Sequence, residues 1–281
     1  MGDITTRLIF WNVILFAVPY VVFGILGLFG ITVYFMDYVS LSSNPADLLW
    51  KPWSLITYEF FHAGIFHILF NMLMLNFAGR LFLTFFTQKQ YFSLYILGGL
   101  FAGIVYILGY MSFPALMHSQ ATLIGASASV MAILFGTVAY SPLMELRLFL
   151  FGNVKLWHIA LVLLIIDLVD ISVSNTGGHL AHLGGAFFGY LYISQLKNGR
   201  DIGAWFTWLV DSISALFSGK KQNTFKKVHR NYTKKPNAPA ARIITKDKTQ
   251  QQIDEILDKI SRSGYDSLSK EEKDFLFRAG K

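Results

Sequence analysis

The sequence predicts an all-α membrane protein: a bundle of six transmembrane helices, then a basic cytoplasmic tail that ends in a small helical hairpin. Two observations carry that prediction. Of 281 residues, 54% are hydrophobic and only 15% are charged, with a mean hydropathy of +0.47; ordinary globular chains are about 25% charged. The charges are also unevenly placed. Residues 1–196 hold six Lys/Arg and seven Asp/Glu, whereas residues 197–281 hold 18 and 10, so a front near −1 precedes a tail near +8. This excludes a soluble enzyme, and it confines disorder to the tail. The chain has no Cys, which removes disulfides, thiolate metal sites and Cys nucleophiles.

A bilayer core about 30 Å thick takes about 20 mainly apolar residues per helix. By that measure the spans fall at 9–35, 66–86, 91–117, 123–143, 156–173 and 178–196. The first is too long for the apolar region of a signal peptide, and no Ala-x-Ala site follows it, so it reads as a retained span. With the N-terminus inside, the inner segments hold Arg7, Lys89, Arg147, Lys155 and the whole basic tail, while the outer loops hold only Lys51. Lys and Arg collect on the cytoplasmic side, so both termini are expected in the cytoplasm of a cell (inner) membrane.

Residues 36–65 form a long first loop, rich in aromatic side chains (Trp53, Tyr58, Phe60, Phe61), which suits an element lying at the interface. After the last span, residues 197–219 read as an interfacial amphipathic helix, with Ile202, Trp205, Phe206, Leu209, Ile213, Leu216 and Phe217 on one face. Residues 220–249 read as a basic disordered linker held near anionic lipid, not as a nucleic-acid binder. Residues 250–281 read as a small helical hairpin, its second helix opened by Ser269 and Glu272 as a capping box. About 32 residues cannot bury a core alone, so the hairpin is expected to dock on a cytoplasmic partner that the sequence does not identify.

Polar groups inside a membrane are costly, so each is a functional candidate. The second span opens with His67 and carries Asn71 one turn later; the fourth opens with Gly125-Ala126-Ser127-Ala128-Ser129; the sixth opens with Gly178-His179-Leu180-Ala181-His182. All three spans start at the outer face. At 1.5 Å per residue, His67, Asn71, Ser127 and His182 lie within roughly 10 Å of one boundary. Gly and Ala residues thin the fourth and sixth helices, which permits the close approach that a Ser hydroxyl and an imidazole need.

Gly125-Ala126-Ser127-Ala128 resembles the Gly-x-Ser-x motif of the rhomboid intramembrane serine proteases. Gly177-x-x-x-Ala181-His182-x-x-Gly185-x-x-x-Gly189 resembles their sixth helix, His62-x-x-x-x-His67-x-x-x-Asn71 their second, and Lys51-Pro52-Trp53 the start of their first loop. The resemblance spans residues 9–196, and basic tails ending in such a hairpin resemble those of some bacterial members. It implies a six-helix rhomboid protease domain over residues 1–196, with Ser127 as nucleophile and His182 as general base. His67 and Asn71, with the Ser127 N–H, would form the oxyanion hole. Gly125, His62 and Met131 would contribute to the substrate cavity. It implies no acidic third member, no cofactor, and transmembrane protein substrates within the lipid bilayer; no metal is expected at His62, His67, His179 and His182, because the second helix presents His67 beside an amide, Asn71, which is a poor ligand.

Three departures from the family stand out: Ala128 follows the Ser where Gly is usual, Met131 replaces an aromatic ring, and Leu83 and Thr84 stand where an acid is often found. Ser129 is the rival nucleophile, but it sits about 200° around the helix from Ser127 and is expected to make a backbone or interhelix hydrogen bond. His179 is expected to be accessory. Asp167 and Asp170 are expected to cap a loop or line the wet cavity. A zinc protease would show His-Glu-x-x-His, which is absent. The alternative function is a non-proteolytic rhomboid-like protein that binds membrane clients; a transporter comes third.

Overall fold

The structure, a computed structural model, describes residues 3–149, 152–217 and 248–279. The chain forms two compact units, Met1–Lys221 and Gln222–Lys281.

The first unit is a helical bundle. Helix α1 (Ile4–Leu28) is capped by the Asp3 carboxylate, which accepts from the Thr6 N–H at 2.9 Å, and it closes on Gly30, whose φ of 79° no continuing helix adopts. It therefore starts and stops earlier than the 9–35 expected from hydropathy. Then come α2 (Ile65–Phe82) and α3 (Gln88–Ser112), the latter opened by a reciprocal capping box of Thr87 and Gln90. Helix α4 (Ser127–Tyr140), α5 (Leu156–Asp170) and α6 (Thr176–Lys197) complete the set. Among the described residues, α1, α2 and α3 are the helices long and apolar enough to cross a membrane by themselves; α4 is a shorter apolar helix of 14 residues.

Short strands, absent from the sequence reading, shorten the fourth span. Strand β1 (Leu41–Ser42) in the first loop pairs antiparallel with β2 (Thr122–Leu123), placing Leu41 opposite Leu123. The residues ahead of Ser127 are thus extended rather than helical. A hairpin of β3 (Glu145–Leu148) and β4 (Gly152–Lys155) fills the connection from α4 to α5. Its Glu-Leu-Arg-Leu alternation is the period-2 pattern of a strand.

Leu75, Phe82, Leu94, Tyr95, Ile133, Leu134 and Tyr192 are fully buried and form the centre of the core. The closest packing is between α4 and α6. A Cβ on Gly185 would overlap the Ala128 carbonyl oxygen, and one on Gly189 would overlap that of Ala132, so the two backbones meet directly. Helix α5 is different: only Leu156, Ala160 and Asp167 are buried along it, and Leu161, Val162, Ile165, Leu168 and Val169 are exposed. Helix α7 (Ala204–Phe217) sets the Phe206 ring 5.9 Å from Phe92 of α3 and leaves Trp205, Trp208 and Leu216 exposed; Lys89 pairs with its Asp211 at 2.6 Å.

The second unit contains α8 (Lys248–Ser263) and α9 (Lys270–Ala279). The Ser269 N–H donates to Glu272 Oε2 at 2.7 Å and the Glu272 N–H to Ser269 Oγ at 3.2 Å, which is the reciprocal pattern of a capping box. Lys259 spans the two helices to Glu272 at 2.8 Å. Ile256 and Leu268 are the buried apolar residues between them. The linker expected over 220–249 lies outside the described residues, save the last two, which open α8.

Candidate active site

Three helix beginnings and one loop assemble the site. Residues 121–126 are held in place by the first loop. The Ser43 N–H donates to the Ala121 carbonyl at 3.0 Å, the Gly125 N–H donates to the Tyr58 carbonyl at 2.8 Å, and Tyr58 Oη in turn donates to the Gly99 carbonyl of α3 at 2.6 Å. Gly125 has a φ of 120°, a conformation reserved for glycine. A Cβ there would also lie 2.7 Å from His67 Nε2 and 3.9 Å from Asn71 Nδ2. Both side-chain nitrogens therefore converge on the backbone immediately ahead of Ser127.

Their donor roles follow from their other partners. His67 Nδ1 accepts from the Ala63 N–H at 3.3 Å, which leaves the ring proton on Nε2. Asn71 Nδ2 donates one hydrogen to the His67 carbonyl at 2.9 Å and keeps a second. Ser127 is the first residue of α4, where a backbone N–H has no acceptor within its own helix. The His67 and Asn71 donors thus lie near Gly125, two residues ahead of the Ser127 N–H at the positive end of a helix.

The hydroxyl itself meets α6. Ser127 Oγ lies 2.7 Å from His182 Nε2, and His182 Nδ1 lies 2.8 Å from Asp167 Oδ1 on α5. With Asp167 as acceptor, the ring proton sits on Nδ1 and Nε2 is free to accept from Ser127. His179, one turn before His182, also presents its Nδ1 to Asp167 Oδ1, at 2.7 Å. The His182 side chain is 23% exposed and that of Asp167 6%. A cavity of about 280 Å³ opens over these groups, walled by Phe70, Met74, Met131, Leu163 and Ile166.

The residues singled out in the sequence fall as follows. Ser127, His182, His67, Asn71 and Gly125 come together, and Met131 lines the cavity. His62 does not line it. It is fully buried behind the site, where its Nε2 accepts from the Ala126 N–H at 3.4 Å and its ring stands edge-on to His67. Burial, aided by the neighbouring His67, pushes its pKa down to about 3, so it is a neutral prop for the loop. Ser129 points away from His182 and donates to Glu59 Oε2 at 3.0 Å. The expectation that no acid accompanies the imidazole is corrected by Asp167.

Glu59 escaped the sequence reading altogether. It is completely buried in the first loop, its carbonyl accepts from Tyr95 Oη at 3.1 Å, and Tyr95 Oη takes a 3.4 Å contact from Asn12 of α1. Burial holds its carboxyl well above the usual carboxylate range, opposed only by the Ser129 hydrogen bond. The signal was present as one acid between Tyr58 and Phe60.

Asp167, His179 and His182 also offer three ligand atoms within 4.8 Å of one another, which is the makings of a metal site. Their separations of 2.7 and 2.8 Å are those of N–H···O hydrogen bonds, and the second nitrogen of His182 faces Ser127.

Compared with curated proteins, the chain matches none. Residues 244–279 match a family of unknown function (DUF6576). Residues 49–198, more than half of the chain, match the rhomboid domain, the mark of a family made up in general of intramembrane serine proteases, some of whose members are inactive. The matched segment contains the Ser127–His182 pair, His67 and Asn71 beside Gly125, and the Asp167 carboxylate, and the chain belongs to the rhomboid family.

Proposed function

We propose that this protein is an intramembrane serine endopeptidase with six membrane spans and both termini in the cytoplasm, cutting transmembrane segments of client proteins near the outer face. The observation that carries the proposal is the 2.7 Å contact between Ser127 Oγ and His182 Nε2. As Oγ attacks the scissile carbonyl carbon, its proton passes to His182 Nε2. The carbonyl oxygen becomes an oxyanion that accepts from His67 Nε2–H, Asn71 Nδ2–H and the Ser127 N–H. Donors aimed at such a charge contribute a few kcal/mol each in a dry site. The intermediate collapses, the amine leaves with the proton from His182, and an acyl-enzyme remains. His182 then takes a proton from water, and the resulting hydroxide releases the second product.

The substrate must unwind locally to reach Ser127, so small or helix-breaking residues are expected at the cut. The flat bilayer bounds the search for clients: they enter laterally, and α5, poorly packed and largely exposed, borders the cavity.

The test is fluorophosphonate labelling of the full-length protein in liposomes, with Ser127→Ala, His182→Ala and Ser129→Ala beside the wild type. Labelling should vanish in the first two and persist in the third. A folded wild-type protein that takes no label would overturn the proposal and make non-proteolytic client binding the leading reading.

A further inference from the structure

We infer that Asp167 is a positioning residue for His182, so that this chain works through an Asp-His-Ser triad rather than a Ser-His pair. The inference rests on the protease reading above and deepens it.

Helix α5 places an acid on its buried face. Leu156, Ala160 and Asp167 are the buried residues of this helix, and positions 156, 160 and 167 lie within about 40° of one another around a helix of 3.6 residues per turn. Asp167 is therefore on the single stripe that faces the bundle. An acid in that setting is expensive unless its oxygens find donors. It finds two on one oxygen, the Nδ1 atoms of His179 and His182 at 2.7 and 2.8 Å.

A tether between α5 and α6 would need only one of those bonds. The second has a chemical consequence that the first lacks. His182 has two ring nitrogens, and Nε2 can accept the Ser127 proton only while the ring hydrogen is on Nδ1. Asp167 Oδ1 is the acceptor that keeps it there. When Nε2 takes the Ser127 proton, the ring becomes imidazolium and the carboxylate beside it offsets the new charge, without itself taking a proton. Remove the acid and the ring can carry its hydrogen on Nε2, a form that cannot act as the base. His179 has no nitrogen turned to Ser127, so its bond to the same oxygen holds the carboxylate in place.

The test uses full-length protein in liposomes and a fluorophosphonate as probe, resolved into binding (KI) and inactivation (kinact). Asp167→Asn should lower kinact by about a hundredfold or more, with KI changed less than about threefold. Val169→Leu, on the exposed face of the same helix, should leave kinact within about threefold, and Asp167→Glu should recover part of the rate. In ¹⁵N-histidine spectra of the wild type, His182 should carry its neutral-form proton on Nδ1. A folded Asp167→Asn protein with wild-type kinact would overturn the inference while leaving the Ser-His pair standing. Should Asp167→Asn fail to fold, a wild-type His182 protonated on Nε2 would overturn it equally. A wild type that takes no label would instead count against the protease reading itself.

Discussion

Helices α4 and α5 are neighbours of nearly equal length that hold their places in opposite ways. Helix α4 is locked by shape: glycines on α6 bring backbone against backbone, and Ala128, Ala132 and Ile133 are almost wholly enclosed. Helix α5 shows most of its side chains to its surroundings and reaches the bundle through a thin stripe ending in Asp167. The first arrangement suits a helix that carries the proposed nucleophile, which must be fixed to a fraction of an ångström. The second suits an element that borders the way in. In an apolar solvent the hydrophobic effect does not hold helices together, so close packing and hydrogen bonds are what remain; α4 uses the one and α5 the other.

Substitutions at matched positions should break that symmetry. Gly185→Leu drives a side chain into the Ala128 carbonyl and should cost about 3 kcal/mol or more, read as loss of the cooperative thermal transition in detergent together with all labelling. Val169→Leu, on the exposed face of α5, should shift stability by less than about 0.5 kcal/mol and leave labelling intact. An equally severe effect of the second would show that α5 is as firmly packed as α4.

Within the locked half, Gly125→Ala should be next in size. It forces a β-carbon into the space used by His67 Nε2 and into a disfavoured backbone conformation. Labelling should fall by about 10²-fold or more, as for loss of an oxyanion donor. Asn71→Ala should cost about 10²-fold in rate with little change in the melting temperature. A wild-type rate in Asn71→Ala would remove that residue from the oxyanion site.

The smallest expected effect concerns pH. The Glu59 carboxyl is raised well above its ordinary range by burial, so the fold favours its protonated form. Its contribution is then fully present below the unfolded carboxylate value of about 4.3 and is lost as pH rises toward the folded value. Glu59→Gln, neutral at every pH, should match the wild type near pH 4 and melt at a higher temperature at pH 8. A Glu59→Gln protein that melts lower at both pH values would mean that the carboxyl contributes something an amide cannot supply.

The approach of Ser127 to His182, and of His67 and Asn71 to Gly125, was legible because it needs only helix starts and a rise per residue. The amphipathic stretch that became α7 and the Ser269–Glu272 cap were legible for a similar reason, since both are patterns within a few residues. Asp167 was seen as a buried acid, but its partner was not: meeting His182 depends on how α5 rotates against α6, and no periodicity fixes that angle. Glu59 lay in a loop, where spacing carries no geometry, and its partner Ser129 is 70 residues away. The β1–β2 pairing joins two-residue strands, too short for any alternation to announce.

That pairing has a consequence for the order in which the molecule can be made. Leu41 lies opposite Leu123, the Gly125 N–H bonds to Tyr58, and Ser127 waits for His182. These are contacts of long sequence separation, which chains form late. During synthesis the hydroxyl emerges well before its base, and the segment that presents it has no settled shape until the first loop has folded back. On the protease reading proposed above, a nascent chain stopped short of α6 would therefore carry a serine with nothing to activate it, and reactivity would arrive only with α6.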